Sequence, residues 1–160
     1  MPRILLIYHS RSGNTETIAN WIAEAITEEG LEVACKRVED TNLEELLKVD
    51  GLIIGSPTYY GTVSAEIKQF LDASIKYHGK LDGKVGAAFS TAASAGQETT
   101  VLSILESLLI HGMIIQGDTE GCHYGVTALG KPGDQDLRRC RRFGHRFTQL
   151  VRMLLTQETR

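Results

Sequence analysis

The sequence lacks the features that mark several classes of protein. Its three cysteines, Cys35, Cys122 and Cys140, include no C-x-x-C pair, which argues against a disulfide framework or a cysteine zinc site. No hydrophobic run could span a membrane, and the apolar segment near the N-terminus is too short for a signal-peptide core. The net charge of −3 indicates neither a nucleic-acid partner nor the strongly acidic docking face of a dedicated electron shuttle. We therefore expect a cytoplasmic protein without bound metal, membrane or nucleic acid.

The composition that is present is typical of a folded globular chain. The sequence has 160 residues, of which 42% are hydrophobic and 23% are charged, and this is enough to build one buried core. We expect residues 1–160 to form a single domain.

The hydrophobic pattern switches repeatedly between that of buried strands and that of amphipathic helices. It predicts strands at 3–8, 31–38, 51–55, 84–89 and 112–116, and helices at 14–29, 43–47, 65–72, 99–111 and 134–155. Alternating strands and helices predict an α/β three-layer sandwich, with a five-stranded parallel sheet and helices on both faces. Ligands of such sheets bind beyond the carboxyl ends of the strands. A site is therefore expected in the loops after strands one, three and four.

The loop after the first strand is rich in hydroxyl and amide groups and reads Ser10, Arg11, Ser12, Gly13, Asn14 and Thr15. It leads into a helix, whose first turn has free N–H groups and the positive end of the dipole. A plain helix cap is the simpler interpretation, but the density of donors around a glycine favours a phosphate cradle. Neither G-K-[ST] nor G-x-G-x-x-G is present, which argues against ATP and a dinucleotide.

The other two loops add surfaces that suit a flat ring. The second contains Pro57, Thr58, Tyr59, Tyr60 and Gly61, and its tyrosines either stack on a heterocycle or pack on the following helix. The third is small and polar, which leaves room for a ring or describes a flexible linker; it comprises Ser90, Thr91, Ala92, Ala93, Ser94, Ala95, Gly96 and Gln97. Together the three loops predict a site for a planar ring that carries one phosphate.

These motifs resemble those of the flavodoxin-like FMN proteins, and most of all the tryptophan-repressor-binding-protein type of NAD(P)H:quinone oxidoreductase. The resemblance is carried by S-x-S-G-N-T from Ser10, P-T-x-Y-G from Pro57, H-G-M from His111 and the later Y-G at Tyr124. It covers nearly the whole chain. It implies a flavodoxin-like fold with strand order 2-1-3-4-5.

The resemblance also implies roles for the loops. The first loop would hold the FMN phosphate, the second would lie along the isoalloxazine, and the third would close its other side. His111 would lie near a flavin, often that of a neighbouring subunit in a homo-oligomer (dimer or tetramer), although a histidine at a helix C-terminus also simply favours the dipole. NADH or NADPH would donate electrons, and a quinone or similar small molecule would accept them.

Two other functions remain open from the sequence. One is a flavodoxin-type protein that carries electrons between protein partners and catalyses nothing alone. The other is a regulatory or nucleic-acid role, which only the arginines of 138–146 support. We interpret those arginines as a solvated helix face, and the histidines other than His111 as surface or local structural residues.

Overall fold

The structure, a computed structural model, describes residues 1–158. Within them the strands are β1 (Arg3–Tyr8), β2 (Glu32–Arg37), β3 (Gly51–Pro57), β4 (Val85–Ala92) and β5 (Thr127–Leu129). They alternate with the helices α1 (Asn14–Glu28), α2 (Ala65–Ala73), α3 (Gln97–Ile110) and α4 (Asp134–Glu158). Short 3₁₀ turns lie at Val38–Asp40, Leu43–Lys48 and Ser74–Tyr77. In this part of the chain no helix is long and apolar enough to cross a membrane.

The sheet is parallel throughout and its order is β2-β1-β3-β4-β5, which confirms the predicted fold. Alternate side chains of the central strands enter two separate cores. Leu6 and Ile53 pack with α1 and α4 on one face, whereas Leu5 and Ile54 pack with α2 and α3 on the other. Burial on both faces explains why β1 and β3 read as continuous apolar runs.

The predicted position of the fifth strand, at 112–116, is wrong. Only Ile114 of that segment joins the sheet, through a single bridge to Val85. Gly112 turns the chain at the end of α3 with a φ of 78°, and Met113 packs in the core. Pairing with β4 is therefore limited to Ile114. The chain then leaves the sheet and returns as the three-residue strand β5, which is too short to give a recognisable pattern.

The detour between Ile114 and β5 is held by α4. Asp118 accepts hydrogen bonds from the Arg142 Nε and Nη2 atoms, each at 2.7 Å, and Arg146 donates to the Gly117 carbonyl at 2.7 Å. The hydrogen bond from Arg142 is the main reason that the pKa of Asp118 falls to about 2. The interpretation of 138–146 as a solvated face is therefore wrong for Arg142 and Arg146, although Arg138 is exposed.

The carboxyl ends of the strands bring the candidate loops together. β3 and β4 run further than predicted, and their register pairs Ser56 with Ser90 and Pro57 with Thr91. Tyr8 at the end of β1 lies opposite Gly55. Because these strands are adjacent and parallel, the loops after β1, β3 and β4 leave the same edge of the sheet side by side.

Candidate functional site

The first loop is shaped by the Ser10 hydroxyl. This buried oxygen accepts hydrogen bonds from the backbone amides of Gly13, at 3.2 Å, and Glu16, at 3.3 Å. The loop therefore turns back over the start of α1, where Gly13 is the N-cap residue. The first-turn amides of a helix have no partner within it, and those of Asn14 and Thr15, which Ser10 does not engage, remain to meet a ligand above α1.

The donors around this turn fit a phosphate group. Arg11 and Ser12 are exposed, and a Cβ added at Gly13 would meet no atom within 4 Å, so the space above the turn is open. The nearest acidic residue in the sequence, Glu16, is paired with Arg37 at 2.5 Å. Amides, a hydroxyl and a guanidinium face the opening without a free carboxylate, which is the donor set that binds an anion.

Arg37 is a support of this loop that the sequence analysis missed. Its Nη1 donates to the Ser10 carbonyl at 2.9 Å while its Nη2 holds Glu16. The parallel register sets Arg37 opposite Tyr8, directly below the loop. The sequence carried a signal for it, because an arginine that ends the edge strand beside β1 must lie next to the segment that follows β1.

The second loop is a tight hairpin. The backbones of Tyr59 and Thr62 bond to each other in both directions, at 2.9 and 3.3 Å. The two central residues, Tyr60 and Gly61, have φ values of 50° and 81°, and positive φ at both positions is the type I′ pattern. A tyrosine rarely adopts this conformation, and the Tyr60 ring is fully exposed. The hairpin therefore presents a large aromatic surface to solvent at a conformational cost.

The second and third loops are bonded to each other. The Thr58 amide donates to the Thr91 carbonyl at 2.7 Å, and the Thr99 hydroxyl donates to the Gly61 carbonyl at 2.8 Å. Gly96 lies so close that a Cβ there would come within 3.0 Å of the Gly61 Cα. A side chain at position 96 would therefore require these neighbours to shift by a few tenths of an ångström.

The first loop joins both of the others. The Thr15 hydroxyl lies 2.8 Å from that of Thr91, and both are buried. The Arg11 guanidinium carbon lies 4.6 Å from the centre of the Tyr59 ring, which is cation–π distance. The structure thus brings the three predicted loops into one contiguous site, and it engages two of the three predicted phosphate hydroxyls, those of Ser10 and Thr15, within the chain.

The third loop has a fixed base and an open tip. Ser90 donates to the Gln97 carbonyl at 2.6 Å, and Ala92 is buried at the end of β4. Ala93, Ser94 and Ala95 are exposed. Their side chains are small, so the tip of this loop adds little bulk beside the candidate site.

His9 is buried beside the site, so its interpretation as a surface or local residue was incomplete. Its Nδ1 lies 2.5 Å from a Glu39 carboxylate oxygen, and its Nε2 lies 3.5 Å from one of Glu66. These contacts tie the residue before Ser10 to the turn after β2 and to the start of α2.

His111 lies near the amino ends of the strands, whereas the three loops leave their carboxyl ends. It ends α3, is buried, and places its Nε2 atom 2.8 Å from the Ser74 hydroxyl. Burial and the neighbouring His78 lower its pKa. Its own chain therefore does not bring it to the site formed by the loops. Among residues 1–158 no group of three potential metal ligands occurs.

Comparison with known proteins agrees with this geometry. A family model described as flavodoxin domain matches residues 5–110. A flavodoxin of Aquifex aeolicus is 37% identical, with 94% of this chain and 88% of that protein covered. An NAD(P)H dehydrogenase (quinone) of Archaeoglobus fulgidus is 35% identical, with 96% and 100% covered.

A solved structure gives the same result in three dimensions. The flavodoxin, WrbA-like protein from Agrobacterium tumefaciens superposes with a TM-score of 0.80 at 26% identity, covering 96% of this chain and 99% of the other. These matches confirm the resemblance proposed from the motifs, and a flavodoxin domain implies a flavin. The chain belongs to the flavodoxin-domain family, in the branch that resembles the WrbA-type FMN proteins.

Proposed function

We propose that this chain is an FMN-dependent oxidoreductase that passes electrons from NADH or NADPH to a quinone or a similar small acceptor. The observation that carries the proposal is the meeting of three loops at one sheet edge, with anion donors on one side and an exposed aromatic hairpin on the other. Relatives named NAD(P)H dehydrogenase (quinone) at 33–35% identity support it.

Each loop has a defined task in this proposal. The amides of Asn14 and Thr15, the Ser12 hydroxyl and the Arg11 guanidinium would hold the phosphate. Backbone N–H groups near Gly61 and Gly96 would donate to the polar edge of the ring as it gains negative charge. Bound FMN supplies the two-electron chemistry: NAD(P)H provides a hydride equivalent, and one proton from water completes reduction of the quinone to its hydroquinone.

Assembly with a second copy of the chain is part of the proposal. Exposed apolar side chains of Ile75 and Ile110 line the groove beside His111, and Leu109, next to Ile110 in the chain, is also exposed. Burying them between copies would remove apolar surface from water, and it would leave His111 near an interface. Sedimentation of the purified protein should then give a dimer or tetramer, and a monomer at all concentrations would contradict this part.

A flavodoxin-type electron carrier that serves protein partners is the second candidate. It is favoured by one observation, which is that the relative from Aquifex aeolicus named flavodoxin is 37% identical. The mild net charge of −3 favours the enzyme, because electron carriers use strong fields to steer their partners.

One experiment separates the two functions. The protein loaded with FMN is mixed anaerobically with NADH or NADPH, the visible absorbance of the flavin is followed, and a benzoquinone is then added. The enzyme predicts rapid bleaching by at least one nucleotide and recovery with the quinone. If neither nucleotide bleaches the flavin, a flavodoxin reductase is added in a second run, and bleaching only in its presence would identify the electron carrier. A chain that does not bind FMN would refute both functions.

A further inference from the structure

Arg11 links the two ends of the candidate site. It is the charged residue of the 10–15 loop, and its side chain is exposed. Its guanidinium lies over the half-buried Tyr59 ring, at 4.6 Å from the ring centre. A guanidinium is planar and has donors along its edge, so it stacks on a ring with its face and binds phosphate oxygens with its edge.

The surroundings leave the edge of this guanidinium available. Arg37, the other arginine near the loop, is held by Glu16 and the Ser10 carbonyl. Among residues 1–158, no carboxylate lies within salt-bridge distance of Arg11. The pKa of Glu66 is lowered first by a hydrogen bond from its own amide and, to a smaller extent, by the charges of His9 and Arg11, so that carboxylate is a distant neighbour.

We propose that Arg11 couples the phosphate end of the flavin to its ring end, and so selects FMN over unphosphorylated riboflavin. The inference rests on the proposed function, since it requires that the three loops bind a flavin. The Tyr59 ring restricts the long arginine side chain before the ligand arrives, so less entropy is lost when the guanidinium meets the phosphate. Reciprocally, a guanidinium held by phosphate keeps Tyr59 in place beside the ring.

The coupling is tested with two ligands and four proteins. Dissociation constants for FMN and riboflavin are measured by flavin fluorescence for the wild type, Arg11→Gln, Tyr59→Leu and the double variant. Loss of a charge-assisted contact should raise the FMN constant roughly 10- to 100-fold in Arg11→Gln. The riboflavin constant should change far less, because riboflavin has no phosphate.

Tyr59→Leu gives the distinguishing result. A ring that serves only as a platform would weaken both flavins by the same factor when removed. If Tyr59 also positions Arg11, its loss should weaken FMN about two- to fivefold more than riboflavin, which is the strength of an exposed cation–π contact. That excess should vanish in the double variant, where Arg11 is already absent.

Three matched variants control for other effects. Tyr60→Asn removes the neighbouring ring and keeps a residue that tolerates positive φ, so its effects on FMN and riboflavin should be equal. Arg138→Gln removes an exposed arginine of α4 and should change neither constant. Arg11→Lys keeps the charge but loses the planar stack, and its preference for FMN should fall between those of the wild type and Arg11→Gln.

The inference would be overturned if the ratio of the FMN and riboflavin dissociation constants were unchanged in Arg11→Gln. It would also be overturned if that ratio were unchanged in Tyr59→Leu. Either result would leave flavin binding itself intact. A wild type that binds neither flavin would instead refute the proposed function. Both substituted side chains reach solvent, and circular dichroism of each variant verifies that a change in affinity is not loss of the fold.

Discussion

Substitution of Gly96 by alanine should separate the second and third loops. The residue has a φ of 88°, and an added Cβ would lie 3.0 Å from the Gly61 Cα and 3.0 Å from the Thr58 Cγ2. The left-handed conformation costs an alanine about 1 kcal/mol, and relieving the contact with backbone atoms costs roughly 1–2 kcal/mol more. We therefore expect a loss of about 2–3 kcal/mol in the free energy of unfolding, measured by urea denaturation without flavin.

Gly79→Ala is the matched control, since Gly79 has a φ of 81° and no atom within 4 Å of an added Cβ. It should show only the conformational cost of about 1 kcal/mol and bind FMN as the wild type does. Gly96→Ala should raise the FMN dissociation constant roughly tenfold, because the second and third loops must shift apart to admit the added methyl group. Equal destabilisation by the two variants, with equal FMN affinity, would show that the loops do not touch.

Three further outcomes follow from buried or half-buried groups. Thr15→Val and Thr91→Val should each lower the free energy of unfolding by about 1–3 kcal/mol, because each leaves a buried hydroxyl unpaired. The double variant should lose less than the sum of the two. Additive losses in urea unfolding would contradict the contact between the two hydroxyls. The pKa of Asp118 is lowered to about 2, so above pH 4 its ionised form should contribute up to about 2 kcal/mol to the free energy of unfolding, and this contribution should be lost as the pH falls towards 2. An Asp118→Asn variant whose acid-unfolding curve matched that of the wild type would exclude this. Burial raises the pKa of the Cys140 thiol to about 12, so a thiol reagent at pH 8 should label it only after unfolding.

The sequence pattern was sufficient for the first four strands of the parallel sheet and for the position of the three loops, because buried runs and clustered polar residues are local signals. The strand order came from the family resemblance. The pattern failed at β5, which has only three residues and follows a segment that Arg142 and Arg146 hold through Asp118 and Gly117. It also treated the hydroxyls of the first loop as equivalent. In the structure Ser10 caps the loop and Thr15 bonds to the end of β4, and pairings between distant segments of this kind leave no pattern in the sequence.

The central claim is that the three loops form a single flavin site, and amide NMR shifts test it most directly. FMN titrated into uniformly ¹⁵N-labelled protein should shift the amides of Gly13, Asn14, Gly61 and Gly96 together, with one dissociation constant. The amide of His111 is the internal control, because it lies far from the three loops of its own chain, and its chemical shift should change far less. Shifts centred on the groove beside His111, with the loop amides unchanged, would contradict the account.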